Sequence, residues 1–391
     1  MSISPRRDNF TGCNNLNKAE RLPEGAVVDS VNLDFTRGGK AELRAGFTEL
    51  RTGADIRAIF SSRDGSLVVA EGQDLIRILP LPETFLAKIP PGPIAGTLFN
   101  NKLYVSTSSV MIEVGDTVSD WVTLPPVLDV SMSTGSLGAG VYKVAVTAID
   151  SSGKESGCVP YTIGVSDGQA LNVSFIPESG VRYSVYASAQ NGEALYLQGE
   201  STGAFSIPSV STDGRRLTTG MLGPFPNCEV LSSFGGRILG AAGKTLYFSS
   251  PMQPHLYDPE AGFLLFASNI DLIAPVEEGV FVCADRTFFI TGIGTPEMEQ
   301  REVLSFGGVA GTVVHLPDGS AAWFSEYGQI ISSPLGEVEQ MNKESYSPST
   351  AKNGASGVLE FNGNRIIATT MRGDVNPSRL SSTDSWVLEV S

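Results

Sequence analysis

Apolar and polar positions alternate with the period of a β-strand along most of this chain. Stretches at 56–60, 66–70, 102–106, 142–148, 182–187 and 245–249 alternate or run apolar over about five residues. Each closes on Gly, Asn, Asp or Pro, which is the punctuation of strands joined by tight turns. No stretch carries three turns of an amphipathic helix, and only residues 296–304 read as one or two helical turns.

The punctuation recurs. SSRDGSLVVA (61–70), LFNNKLYVST (98–107), SFGGRILGAA (233–242), VEEGVFVCAD (276–285), LPDGSAAWFS (316–325) and EFNGNRIIAT (360–369) each place a turn between two apolar runs. Asn-Asn, Gly-Gly, Asp-Gly and Asn-Gly supply the positive φ that two-residue hairpins need. The last four lie about 40 residues apart, the period of a propeller blade. The pattern therefore predicts an all-β fold with a β-propeller-like domain of about six or seven blades. SWVLEV at 385–390 reads as a strand that closes the ring against an early blade.

Between Pro125 and Pro208 the rhythm changes to GAGVYKVAVTAIDSSGKESG, LNVSFIPES, GVRYSVYAS and ALYLQGESTGAFSIP. These runs resemble an immunoglobulin-like or fibronectin type III β-sandwich. The segment holds three basic and seven acidic residues, a net charge of −4. The organisation read from the chain is an N-terminal arm with the first propeller strands (1–50), blades (51–126), an inserted sandwich (127–208), and further blades with the closing strand (209–391).

Composition narrows the function. There are 27 Lys and Arg against 42 Asp and Glu, a net charge of −15, so non-specific binding to phosphate backbones or anionic lipid is disfavoured. No apolar run of 18 residues is present, so no membrane span is expected. MSISPRRDNF lacks the apolar stretch of a signal peptide. Cys13, Cys158, Cys228 and Cys283 lie far apart and read as reduced thiols of a protein made in a cytoplasm. The sequons at Asn9 and Asn172 are then without consequence.

Residues 1–50 hold seven basic and seven acidic side chains, so the rest of the chain carries the whole −15. Within them stand Asn14-Asn15, a turn at Leu22-Pro23-x-Gly25-Ala26, a strand VVDSVNLDF holding Asn32-x-Asp34, a Gly38-Gly39 hairpin and Arg44-x-Gly46-Phe47. A second phrase, LYFSSPMQPHLYDPEAGFLLF (246–266), includes Pro254, Tyr257 and Asp258. Together these resemble virion structural proteins of tailed bacteriophages, specifically the tail nozzle and tail-tube-like β-propeller proteins of short-tailed phages. The match covers about 60 of the 391 residues. In relatives Trp is more usual at Tyr257 and Pro at Ala45.

The resemblance implies a non-enzymatic ring, commonly a homohexamer, attached below the portal and adaptor proteins and forming part of the channel for DNA ejection. Genomic DNA would pass through the lumen unbound. An acidic lumen is physically compatible with that, because carboxylates repel phosphate. It places the protein in the virion tail, made in the bacterial host. Asn14, Asn15, Asn32, Asp34, Arg44, Phe47, Pro254, Tyr257 and Asp258 are the residues expected to mark fold and assembly. Sandwich and propeller loops also suit ligands, so the alternative is a module binding a glycan or protein of the host surface.

Catalytic chemistry has few candidates, and no cofactor is implied. His255, expected in a Pro-rich loop, and His315, expected in a strand, lie 60 residues apart without partners at metal-ligand spacing. GAAGKT (240–245) has Ile238 where a phosphate loop needs Gly, and a strand follows it, so it reads as a hairpin. There is no GxSxG elbow, and Glu277-Glu278 point to opposite faces of a strand, which rules that pair out as a glycosidase couple. SSRDGS (61–66) only faintly resembles the turns of sialidase propellers. Arg372-Gly373-Asp374 reads as a turn. Arg6, Arg7, Lys18 and Arg21 form a basic cluster that reads either as a solvated terminus or as an arm docking on an acidic neighbour.

Overall fold

A computed structural model describes residues 9–36, 38–44, 46, 49, 51–61, 65–341, 343–345, 351–361, 364–372 and 385–390. Arg6, Arg7, Phe47, residues 62–64 of the SSRDGS turn and Gly373-Asp374 lie outside them. The chain separates into two compact units, 1–55 with 267–391, and 56–266. It is all-β and propeller-like in the make-up of its sheets. The only helical element among the described residues is the 3-10 turn Ala19–Arg21, so no helix there is long and apolar enough to cross a membrane.

The second unit contains three blade-like sheets. Strands Ile56–Ser61, Leu67–Glu71, Asp74–Leu79 and Thr84–Lys88 form the first as an antiparallel meander. Ile94–Phe99, Lys102–Thr107, Met111–Val114 and Val118–Asp120 form the second in the same way. The third is built on Val230–Phe234, Arg237–Ala242 and Thr245–Ser250, extended by Gln253–Tyr257 and Gly223–Pro224, with Phe263–Leu265 beside Thr245–Ser250. The leading strands are neighbours, Ile56–Ser61 by Ile94–Phe99 by Val230–Phe234, as expected where blades fan out from one side.

The faces of the second sheet explain its sequence. Leu103, Val105, Ile112 and Val114 pack against Val68, Ala70 and Leu75 of the first sheet. Tyr104 and Met111, pointing the other way as alternate residues must, pack against Ile238 of the third and against Phe225 and Cys228 of the segment leading into it. A strand covered on both faces reads as a near-continuous apolar run rather than a clean alternation, and Lys102–Thr107 is buried at every position after Lys102.

The first unit repeats the scheme. Leu272–Pro275, Val280–Cys283, Thr287–Thr291 and Glu299–Leu304 form one meander, and Val314–His315, Ala321–Ser325, Gly328–Ser332 and Val338–Gln340 the next. Asn353–Phe361, Asn364–Arg372 and Ser385–Val390 form a three-stranded sheet. Phe281, Phe289, Trp323 and Ile330 fill one layer between the sheets and Val314, Ala322 and Ile367 another.

The hairpin dipeptides sit where turn chemistry requires. Asn100 and Asn101 have φ of 49° and 61°, and Gly235 and Gly236 of 56° and 73°, the pair of positive angles of a type I′ turn. GAAGKT is a hairpin: Ala242 pairs with Thr245 around Gly243 and Lys244.

Three expectations are corrected. Residues 296–304 contain the strand Glu299–Leu304, paired with Thr287–Thr291. Pairing along one edge engages its inward backbone groups while Val303 and Leu304 reach the core, and one or two helical turns would be marginal. The strand at 385–390 joins Asn364–Arg372, its nearest predecessor in the chain, where loop closure is cheapest. The strand read over VVDSVNLDF is interrupted: Ala26–Val27 and Leu33–Phe35 are separate, because Asn32 takes φ 59° and leaves the β region.

The inserted segment folds as the expected two-sheet sandwich. Asp129–Leu137, Gln169–Ser174 and Ala204–Ile207 make one sheet; Tyr161–Val165, Gly140–Ile149, Arg182–Ser188 and Leu195–Ser201 make the other, in those orders. Tyr142, Val144, Val146 and Ala148 face Leu171, Val173, Tyr183 and Val185. The opposite face of Gly140–Ile149 is buried too: Ala145 packs with Tyr186, Leu195, Cys158 and the following segment's Leu217. That segment is held by Leu197 N donating to Arg215 O (2.9 Å) and Leu217 N to Leu195 O (2.9 Å).

Candidate functional site

The expected marker residues fall in both units. In the first, Arg44 closes the hairpin of Leu33–Phe35 and Ala41–Leu43: its N donates to Asn32 O (3.1 Å) and its Nε to Asp34 Oδ1 (3.0 Å). Asn14 is buried, donates its N to Val27 O (2.7 Å) and accepts at Oδ1 from Asn17 N (3.1 Å). Asn15 N donates to Ser345 O (3.1 Å). Phe47 lies outside the described residues.

In the second unit, Pro254 and Tyr257 lie in strand Gln253–Tyr257. Tyr257 meets Tyr247 edge-on at 5.6 Å, and burial raises its hydroxyl above the ordinary range. Asp258 Oδ1 accepts from Glu260 N (2.8 Å) and Ala261 N (3.2 Å), an Asx turn. The structure thus joins Asn32, Asp34 and Arg44 in one hairpin, and Pro254, Tyr257 and Asp258 in one strand and its turn. All make architectural contacts.

The densest polar cluster was not foreseen. It lies where the sandwich turn 150–158 meets the second and third sheets. Glu113, with a side chain 4 % exposed, accepts from Lys102 Nζ and faces Lys154 Nζ at 3.4 Å. Lys154 also contacts Asp150 Oδ2 (3.3 Å) and donates to the carbonyls of Asp120 and Trp121. Thr123 Oγ1 donates to Asp150 Oδ2 (3.1 Å). Burial pushes the Glu113 carboxyl up, but the hydrogen bond from Lys102, the two ammonium charges and Tyr104 outweigh it and hold the group below the usual carboxylate range. Asp150 is lowered likewise, burial being offset by Ser152, the Lys154 amide and ammonium, and Thr123.

Around this cluster the contact is aromatic. Trp121 is fully buried, stacks on Phe225 at 5.3 Å, meets Tyr104 at 5.1 Å and donates Nε1 to Pro254 O (2.9 Å). His255 is not in a loop: it stands in Gln253–Tyr257, buried, with Nε2 3.0 Å from Glu155 O. Met221 N donates to Cys158 O (2.8 Å). Glu155 turns its carboxylate back into the sandwich, to Arg215 Nη1 (2.8 Å), Thr147 Oγ1 (2.7 Å) and Tyr186 OH (2.7 Å). One sequence signal pointed here, the single carboxylate in the otherwise apolar strand Met111–Val114.

The contact tolerates no added bulk at Gly157, where a Cβ would stand 2.0 Å from Leu222 O. Gly157→Ala is expected to destabilise the second unit by about 1–3 kcal/mol, read as a lower thermal midpoint. An unchanged midpoint would show that the turn can shift freely.

The chemistry of the cluster is that of holding. Its charges are paired, and among the described residues no three His, Cys, Asp or Glu side chains are grouped to bind a metal. All four cysteines are free thiols; burial pushes Cys158, Cys228 and Cys283 up to about 12, so they are neutral thiols at pH 7.

No family model and no curated protein matches this chain. Similar solved structures include a BBS1N–ARL6DN complex soaked with lead (11 % identity, 82 % of this chain and 90 % of that one, TM-score 0.34). Streptogramin B lyase (8 %, 82 % and 92 %, 0.35) and the Neurospora crassa Pan2 WD40 domain (11 %, 85 % and 92 %, 0.35) are also similar. At such TM-scores these likenesses carry no weight for function, and the fold stands on the sheets described above.

Proposed function

We propose that this chain is a non-enzymatic structural subunit of a tailed-phage virion, one copy in a nozzle-type ring below the portal and adaptor. DNA would pass through its channel without being gripped. The sequence resemblance supplies the class. The observation that supports assembly is the state of the N-terminal arm. Among the described residues its turn and hairpin are hydrogen-bonded, yet Leu16, Val28, Val31 and Leu43 remain 49, 47, 78 and 79 % exposed. Its hairpin is a sheet of two strands, which is marginal alone and would gain from burial against another chain.

A closed ring needs heterologous contacts, so the arm of one copy would meet a different surface of the next. Light scattering with negative-stain imaging is expected to give a ring of about six copies. Val31→Asp with Leu43→Asp, at exposed positions where each change should alter stability by no more than about 0.5 kcal/mol, is expected to yield monomers. A chain that stays monomeric even with portal and adaptor proteins present would end this reading.

A further inference from the structure

The sandwich meets the blade-like sheets of its own unit through turn 150–158, and a buried histidine stands at that contact. We propose that the contact is an acid-sensitive clamp: uncharged His255 holds the turn against Gln253–Tyr257 at neutral pH, and protonation of its imidazole releases the turn and loosens the sandwich. This goes beyond the assembly reading and does not depend on it.

The geometry sets the protonation state. A carbonyl oxygen can only accept, so Nε2 facing Glu155 O at 3.0 Å carries the hydrogen. Nδ1 is then an acceptor, and among the described residues it has no partner. Adding a proton there places an N–H without an acceptor, and a charge largely removed from water, in a residue 7 % exposed. The charged groups facing it are Lys154, Asp150 and Glu113. The two carboxylates favour a cation, but both are engaged: Glu113 by Lys102 and Lys154, Asp150 by Lys154, Thr123 and Ser152. Burial holds the imidazole below its usual range, the Glu155 carbonyl opposes that, and the Lys154 ammonium adds to the lowering.

Once the turn is released, water restores an ordinary imidazole near pH 6.5. The released form then binds more protons than the clamped form, so release is favoured as the pH falls through about 6.5. It grows by up to about tenfold for each pH unit until the clamped histidine itself titrates. Glu113 and Asp150, held below the usual carboxylate range, act only in a separate window under about pH 4.5.

Hydrogen exchange by mass spectrometry on the full chain at pH 7.5, 6.5 and 5.5, corrected for intrinsic rates, tests the clamp. Opening at amides 150–158 and 253–257 is expected to rise about tenfold between pH 7.5 and 5.5, while the histidine-free strands at 67–88 are unchanged. His255→Gln keeps an Nε2–H donor and cannot titrate, so it should abolish the rise. No rise in the wild type, the same rise in H255Q, or an equal rise throughout the chain would overturn the proposal. Should H255Q fail to fold, C2–H exchange of His255 in the wild type decides: a value below 6.5 is expected, and one at or above it refutes the clamp.

Discussion

Trp121→Ala is expected to destabilise the second unit by about 3–5 kcal/mol, the range for deleting a large buried aromatic. The indole is fully buried between Tyr104 and Phe225, and no neighbour can refill that volume without leaving its own layer. Its loss also strands Pro254 O, whose hydrogen bond comes from Trp121 Nε1; an orphaned buried acceptor costs about 1–3 kcal/mol. For a unit of this size the thermal midpoint should fall by roughly 6–20 °C. Trp121→Phe, which keeps the stacking and loses the donor, should cost less than half as much. Equal losses in the two variants would mean that the hydrogen bond, not the ring, holds the contact.

Glu113→Ala is expected to cost about 3–5 kcal/mol, because removing one partner leaves buried charge uncompensated. Lys154, 12 % exposed, would keep only Asp150 as a carboxylate partner among the described residues. Glu113→Leu combined with Lys154→Met, which removes charge from both sides and preserves volume, should recover at least half of the loss, since buried ion pairs repay their desolvation poorly. Urea unfolding of the wild type and the two variants gives the loss and its recovery directly. A double variant no more stable than Glu113→Ala would show that packing at these positions, rather than unpaired charge, sets the cost.

These effects concentrate at a contact that pattern reading passed over. Lys154 stood in the hairpin GKES of the insert and Glu113 in the apolar run MIEV, 41 residues apart in sequence. Nothing local says that they meet; the second sheet and the sandwich must each form first. The neighbouring prolines point to a loop at His255, but Gln253–Tyr257 pairs with Thr245–Ser250 and Gly223–Pro224. Pro254 is tolerated there with its carbonyl turned to Trp121. The arm is legible as a turn and hairpin through Gly25 and Gly39, both at positive φ, whereas the break at Asn32 and the exposure of Val31 and Leu43 emerge only from the structure.

The sequence by itself determined what depends on neighbours in the chain. Alternation within a strand and positive-φ dipeptides between strands fix hairpins locally, so the all-β class, the blade-like meanders and the sandwich insert were legible from 391 letters. Tertiary structure decided what depends on partners far away in sequence. Glu299–Leu304 is a strand because an edge was waiting for it. Ser385–Val390 pairs with its predecessor because that closure is shortest. The charges of Glu113, Lys154 and Asp150 are tolerated because folding brings them within ion-pair distance away from water. Burial and pairing are properties of the assembled sheets, and the energies that matter most here arise only from them.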